Sequence, residues 1–151
     1  MLRKEYFVRL LVLDGSRILP TLVQRIAPPG VEAYAVSTIE EAIDEIRLGQ
    51  AQAVIANIGP ANLPWKELQR ICEESKPPIP VLFESCVHQS LEEAGMGRAR
   101  EWSAFVVKPY PLDELRKQVE QLTARAARAA VGAGEIGGKD SVLGDRSTER
   151  G

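Results

Sequence analysis

The sequence is poor in the residues that build disulfide frameworks and metal sites. Of its 151 residues, two are cysteines, Cys72 and Cys86, and one is a histidine, His88. Two cysteines are too few for a disulfide scaffold, and a single histidine does not complete a convincing zinc motif with them. We therefore expect two reduced thiols and no metal centre.

Long apolar runs and a strong excess of one charge are also missing. No run approaches the ~20 apolar residues that span a bilayer, and the first residues lack the long apolar region of a signal peptide. These absences predict a cytoplasmic protein without membrane contact. The formal net charge is −2, and no basic cluster is interleaved with aromatic residues, so we expect no binding to nucleic acid by this domain.

The chain does contain a regular alternation of two apolar periods. Apolar runs of strand length occur at 6–13, 31–36, 53–58, 81–83 and 104–107. Apolar residues at helical spacing follow each run, with the fourth helix around 89–94 and the last one starting near Leu112. Ser37 and Glu40 have the spacing of a capping box, which predicts a helix start. Five strands alternating with five helices indicate a doubly wound α/β sheet.

The composition changes after about residue 123. Residues 125–131 are rich in alanine and arginine and can prolong the last helix, whereas 132–151 hold half of the twelve glycines. The hydrophobic content of 44% in a chain of this length is enough for one core. We predict one domain at 1–123, followed at 124–151 by a helix extension and a disordered tail.

Two of the predicted strands end in residues of opposite charge. Asp14 follows the apolar run 10–13, and Lys108 follows 104–107. The carboxyl ends of parallel strands share one edge of a sheet, and an ammonium group at that edge is costly unless it is paired. We therefore predict a salt bridge between Asp14 and Lys108, with a bound anion beside Lys108 as the alternative.

The order of these motifs resembles the receiver domain of two-component response regulators. The resemblance spans about residues 6–122 and rests on LLVLDGSR at 10–17, VIANIGP at 54–60, PVLFESC at 80–86 and FVVKPY at 105–110. It implies a flavodoxin-like fold, with a five-stranded parallel sheet in the order 2-1-3-4-5 flanked by five helices. It also implies a functional site at the carboxyl ends of the strands.

The same resemblance indicates a degenerate site. In this family two adjacent acids and an acceptor aspartate hold Mg²⁺ during phosphoryl transfer. Gly15 stands where the second acid is expected. Counting back four residues from Pro60 puts Ala56 at the acceptor position, and a shift of one residue puts Asn57 there. Neither side chain accepts a phosphoryl group as an aspartate does, so we expect no enzymatic activity, no cofactor and a loss of Mg²⁺ binding.

Other positions match supporting residues of the family. Ser85 matches the hydroxyl that contacts the phosphoryl group, and here either bonds the predicted ion pair or caps its loop. Phe105 matches a switch aromatic and, without a hydroxyl, is expected to stay buried. Lys108 and Pro109 match the family's lysine and proline. Glu84 is the one further acid near the site. At a strand end we expect it to point to solvent, and the alternative is that it enters the pocket and partly restores a metal site.

These features predict an atypical receiver that acts in signal transduction through protein–protein contacts, independently of phosphorylation. In the family, the fourth helix, fifth strand and fifth helix form the face that meets a protein partner or a second copy in a homodimer. Here that face carries Gln89, Glu92, Glu93, Phe105, Tyr110, Glu114 and Lys117. The alternatives are a conventional phosphoryl-accepting receiver of a phosphorelay and a small-anion-binding domain.

Overall fold

A computed structural model describes residues 8–58, 65–87, 90, 93 and 102–139, without the side chains of 132–139. Five strands form one parallel sheet in the order β2-β1-β3-β4-β5, which confirms the predicted order. The strands are Val8–Leu13 (β1), Val31–Val36 (β2), Ala53–Asn57 (β3), Val81–Ser85 (β4) and Ser103–Val107 (β5).

The described residues form four helices, where the sequence predicted five. They are Ile18–Ile26 (α1), Ile39–Arg47 (α2), Trp65–Glu74 (α3) and Leu112–Lys139 (α4). The predicted helix around 89–94 lies outside the described residues, apart from positions 90 and 93. Within the part of the chain that the structure covers, no helix is long and apolar enough to cross a membrane.

The sheet is buried on both faces because its central strands are apolar at nearly every position. Neighbouring residues of a strand point to opposite faces, so Leu10 and Val12 pack toward α1 and α4, while Leu11 and Leu13 pack toward α2 and α3. Leu10, Leu11 and Val12 are fully buried, and Leu13 is nearly so. Each such side chain contributes roughly 1.5–3 kcal/mol by leaving water, and together they hold the carboxyl edge of the sheet in place.

The capping box of α2 lies one residue later than predicted. Thr38 has an extended backbone, and its hydroxyl accepts a hydrogen bond from the Glu41 amide at 3.1 Å. The Glu41 carboxylate accepts in return from the amides of Thr38 and Ser37, at 3.3 and 2.9 Å. The predicted pair, Ser37 and Glu40, is therefore wrong, because Thr38 is the residue that precedes the first helical turn.

Helix α4 is longer than the sequence predicted. Leu115, Val119, Leu122 and Ala126 are buried along one stripe of it, and the helix continues to Lys139. The helix thus includes 132–139, while 140–151 lie outside the described residues, and the disordered tail stays a prediction. Each glycine lowers helix stability by only about 1 kcal/mol relative to alanine, and extending an existing helix needs no new nucleation.

Candidate functional site

Four residues form a row across the carboxyl edge of the sheet: Asp14, Asn57, Glu84 and Val106. Asn57 pairs with Glu84 on the next strand, and Glu84 pairs with Val106. Asp14 directly follows Leu13, whose partner on β3 is Ala56, so Asp14 lies next to Asn57. By the alternation of the strands these side chains are on the side of the sheet that α1 and α4 cover.

Asp14 is half-buried and holds the turn that leads into α1. Its Oδ1 accepts a hydrogen bond from Nδ2 of Asn57 at 3.2 Å and another from the amide of Ser16 at 3.1 Å. Both donors are neutral. The carboxylate therefore has a structural task, since it ties the end of β1 to β3 and to the first turn of the helix.

Glu84 is the residue whose placement differs most from its sequence-based prediction. It was expected to point to solvent, but its side chain is fully buried. Its Oε1 accepts a hydrogen bond from the Tyr110 hydroxyl at 2.9 Å and lies 3.6 Å from Nζ of Lys108. Its Oε2 is buried and has no hydrogen-bond partner among the described residues. The expectation was wrong because β4 lies inside the sheet, where the segment after β5 covers its end.

Burial dominates the electrostatics of this cluster. It raises the pKa of the Glu84 carboxyl above its ordinary value, and the nearby charge of Asp14 adds to this. The hydrogen bond from Tyr110 and the charge of Lys108 act in the opposite direction without cancelling it. Burial and the neighbouring Glu84 carboxylate also raise the pKa of Tyr110, so its hydroxyl remains a donor.

Lys108 pairs with Glu84 and not with Asp14, so the predicted salt bridge is wrong. Its backbone amide also donates to the Ser85 carbonyl at 2.9 Å, which fixes the start of the segment after β5. β4 and β5 are neighbours, whereas β1 lies three strands from β5. At about 4.8 Å per strand, this is roughly 14 Å, so the lysine meets the carboxylate of the adjacent strand first.

Of the two candidate acceptor positions, the structure brings Asn57 into the site and leaves Ala56 out of it. Ala56 is fully buried in the cluster that faces α2 and α3, with Leu13 and Phe83 beside it in register. A shift of one residue along a strand reverses the face of the sheet. Counting back from Pro60, which lies outside the described residues, therefore gave the wrong face.

The remaining predicted residues surround this row. Ser85 is buried, and its hydroxyl accepts a hydrogen bond from the Val87 amide at 3.1 Å, as expected of a loop cap. Phe105 is half-buried against the α2 and α3 cluster, so the predicted burial is partial. Gly15 and Pro109 are exposed, and a Cβ atom built on Gly15 meets nothing within 4 Å.

The predicted partner face is only partly described. Gln89 and Glu92 lie outside the described residues. The other members are exposed or half-buried: Glu93, Phe105, Tyr110, Glu114 and Lys117. Tyr110 belongs to this face by position, yet its hydroxyl reaches back to Glu84. It therefore links the face to the site.

A cavity of about 300 Å³ opens beside the row. Asp14, Glu84, Lys108 and Tyr110 form its polar side, and the first turns of α1 form its apolar side. Within the described ranges, no group of three or more His, Cys, Asp or Glu side chains is placed to hold a metal ion. The arrangement offers acidic oxygens, one paired ammonium group and a tyrosine hydroxyl.

No protein-family model and no curated protein sequence matches the chain. Several solved structures of other proteins do match it. A response regulator receiver protein from Sinorhizobium medicae is 26% identical, with a TM-score of 0.64 over 80% of this chain and 97% of that one. A response regulator from Thermotoga maritima is 20% identical (TM-score 0.62; 78% and 98% covered). An orphan response regulator of H. pylori is 18% identical (TM-score 0.60; 80% and 98% covered). The chain therefore has the fold of response-regulator receiver domains.

Proposed function

We propose that this chain is a signalling domain of the receiver type that acts through protein–protein contacts and is not phosphorylated. The observation that carries the proposal is the Asn57 amide, which lies 3.2 Å from Asp14 at the acceptor position that the resemblance gives after a shift of one residue from Ala56. The nitrogen lone pair of an amide is delocalised, and its oxygen carries no full charge. Asn57 is therefore a poor nucleophile toward a phosphoryl donor.

The pairing of Lys108 supports the same conclusion. In the family this lysine pairs with the acceptor and later with the phosphoryl group. Here the buried carboxylate of Glu84 lies 3.6 Å from its Nζ. The Glu84 carboxylate thus occupies the lysine in place of a phosphoryl group that is added and removed during signalling. This permanent pair favours a single conformation of the segment after β5.

The donor set argues against Mg²⁺ as a cofactor. Gly15 provides no carboxylate, and Asn57 provides an amide. Oδ1 of Asp14 already accepts two hydrogen bonds, and Oε1 of Glu84 is paired with Tyr110 and Lys108. Mg²⁺ demands near-octahedral oxygen ligands and is reluctant to lose water. We expect the domain to bind no Mg²⁺ at this edge and to catalyse no reaction.

The contact surface is proposed to be the face formed by β5 and α4. Glu114 and Lys117 are on the outer side of α4, and Arg116 pairs with Asp113 at 3.6 Å near its start. Mixed charges on one helix face favour a partner with the complementary pattern, and a second copy turned by a two-fold axis offers that pattern. The proposed partner is thus another protein or a second copy of this chain.

Incubation with acetyl phosphate and Mg²⁺, followed by intact-protein mass spectrometry, tests the proposal. We expect no gain of mass. The matched control is the double variant Gly15→Asp, Asn57→Asp, which restores two carboxylates beside Asp14. The open space at Gly15 accommodates the new side chain, and Asp is close to Asn in size. The control should gain Mg²⁺ binding, seen as a thermal shift, and a phosphoryl group.

A phosphoryl group on the parent protein would refute the proposal and point to a conventional receiver. Sedimentation analysis of the parent and of Lys117→Glu then tests the contact surface. A dimer that the substitution weakens identifies a second copy as the partner. A parent that stays monomeric points to a different protein, which the same substitution should release from a captured complex.

A further inference from the structure

We propose that Glu84 is a proton sensor whose protonation rearranges the contact face formed by β5 and α4. The inference rests on the proposed function, which supplies that face, and adds a means of regulating it without phosphorylation. No phosphoryl group enters or leaves the pair of Glu84 and Lys108, but a proton from solvent can do so. It forms one O–H bond on the carboxylate and breaks the ion pair.

The first observation is the surroundings of the Glu84 carboxylate, which suit its neutral form better than its charged form. The side chain is fully buried, and Oε2 has no hydrogen-bond partner among the residues that the structure describes. Nζ of Lys108 lies 3.6 Å from Oε1, which is longer than the roughly 2.7–2.9 Å of a charge-assisted hydrogen bond. Buried glutamates do titrate, at raised pKa values, so the carboxyl can take up a proton although its oxygens are covered.

The second observation is the balance of charges around Glu84. Asp14 after β1 and Lys108 and Tyr110 after β5 are the titratable groups that face it, and β3 contributes the neutral amide of Asn57. The buried stripe of α4 on this side of the sheet is apolar. The other residues that line the adjoining cavity are neutral: Ser16, Ile18, Leu19, Leu22 and Pro109. Among the described residues, Lys108 is thus the one cation that favours the ionised carboxylate, and its side chain is 29% exposed, so it can turn to water when Glu84 becomes neutral.

The third observation is the connection between Glu84 and the contact face. Both side chains that contact its Oε1 belong to the segment 108–111, which leads directly into α4. One of them, Tyr110, is also a member of the face. The Pro111 carbonyl accepts a hydrogen bond from the Glu114 amide at 3.0 Å, so the first turn of α4 is bonded to this segment. A proton on Glu84 removes the charge that strengthens both contacts, and the segment and the first turn of α4 should therefore shift.

A pH titration of the protein alone, followed by NMR in a buffer with EDTA, tests the proposal without a partner or a phosphoryl donor. The side-chain carboxyl carbon of Glu84 reports its protonation, and the backbone amides of Lys108, Tyr110 and Lys117 report on the segment and on α4. We expect the Glu84 midpoint to lie above the ordinary value of about 4.3, and a component of the amide shifts to share it. The amides of β2, at the opposite edge of the sheet, should lack this component and stay at their folded positions.

Substitutions assign the transition to Glu84. Glu84→Gln keeps the shape of the side chain and is neutral at every pH, so the shared transition should be lost. Glu74→Gln removes an exposed carboxylate on α3 and should keep the transition. His88→Gln should also keep it, although this only histidine would ordinarily ionise near pH 6.5. If Glu84→Gln does not fold, Lys108→Gln serves instead: without the cation that opposes protonation, the pKa of Glu84, and with it the midpoint, should move to higher pH.

Several outcomes would overturn the proposal. They are a Glu84 midpoint at or below about 4.3, amides of Lys108 and Tyr110 that do not follow the carboxyl, and an unchanged transition in folded Glu84→Gln. Loss of the folded β2 signals at the same pH would also overturn it, because the transition would then be global unfolding. None of these outcomes bears on the mass-spectrometric test for phosphorylation, so the two proposals can fail separately.

Discussion

Replacing Glu84 by Gln is expected to stabilise the folded protein near neutral pH and to leave its stability unchanged in acid. Gln has nearly the same size and can still accept from the Tyr110 hydroxyl, which lies 2.9 Å from Oε1. What it removes is a negative charge that burial disfavours. The pKa of Glu84 is raised in the folded state, mainly by burial, so the folded protein holds this proton more tightly than the unfolded chain does.

The sign of the effect follows from this difference in proton binding. The stabilising contribution of the proton is complete below the unfolded pKa of about 4.3, and it is lost as the pH rises through the raised folded value. The free energies of unfolding of wild type and variant should therefore agree in acid and diverge as the pH rises. One proton limits the slope to about 1.4 kcal/mol per pH unit.

The size of the stability difference at neutral pH depends on the Lys108 charge that the substitution leaves behind. Replacing a whole buried ion pair is neutral or stabilising by about 1–4 kcal/mol, whereas removing one partner costs about 3–5 kcal/mol when the other charge stays buried. The Lys108 side chain is 29% exposed, so water can solvate it once its partner is neutral. We therefore expect the variant to be more stable by about 1–2 kcal/mol near neutral pH.

Urea unfolding at a series of pH values and constant ionic strength, followed by tryptophan fluorescence, measures this difference. The control is Glu74→Gln, whose exposed carboxylate pairs with Arg70 at 2.9 Å and should change stability by only about 0.3–0.5 kcal/mol. A Glu84→Gln variant that is less stable than wild type at neutral pH would refute the reasoning. It would mean that Lys108 and Tyr110 stabilise the carboxylate more than burial opposes it.

Three further predictions use the same unfolding assay or simple chemistry. Thr38→Ala should lower the free energy of unfolding by about 1 kcal/mol, since it removes a helix cap; no change would mean that the cap contributes nothing. Cys86 is exposed and should react with a thiol reagent in the folded protein. Cys72, whose pKa burial raises to about 12, should react only after unfolding, and two fast thiols would contradict this. Tyr110→Phe removes a hydrogen bond to Glu84 and should lower stability by about 1–2 kcal/mol, with a further rise in the pKa of that carboxyl; unchanged stability would show that water replaces the hydroxyl.

Much of the fold was predictable because its signals are local. The apolar runs with flanking helical patterns located all five strands, and the resemblance supplied the order that the sheet has. The same patterns placed Asp14 and Lys108 at the carboxyl edge, and both line its cavity. The helix boundaries were predicted less accurately: the cap of α2 is one residue later than predicted, and α4 continues to Lys139.

The contacts within the site were decided by tertiary structure. Lys108 pairs with Glu84 because β4, not β1, is the neighbour of β5. Asn57 contacts Asp14, while Ala56 packs into the core on the other face of the sheet. The two differ because successive side chains of a strand point to opposite faces. The burial of Glu84 depends on what covers the end of its strand. A sequence carries the period of an element and the charge of each residue, but which charges meet, and whether water reaches them, depends on strand neighbours and register that only the assembled sheet determines.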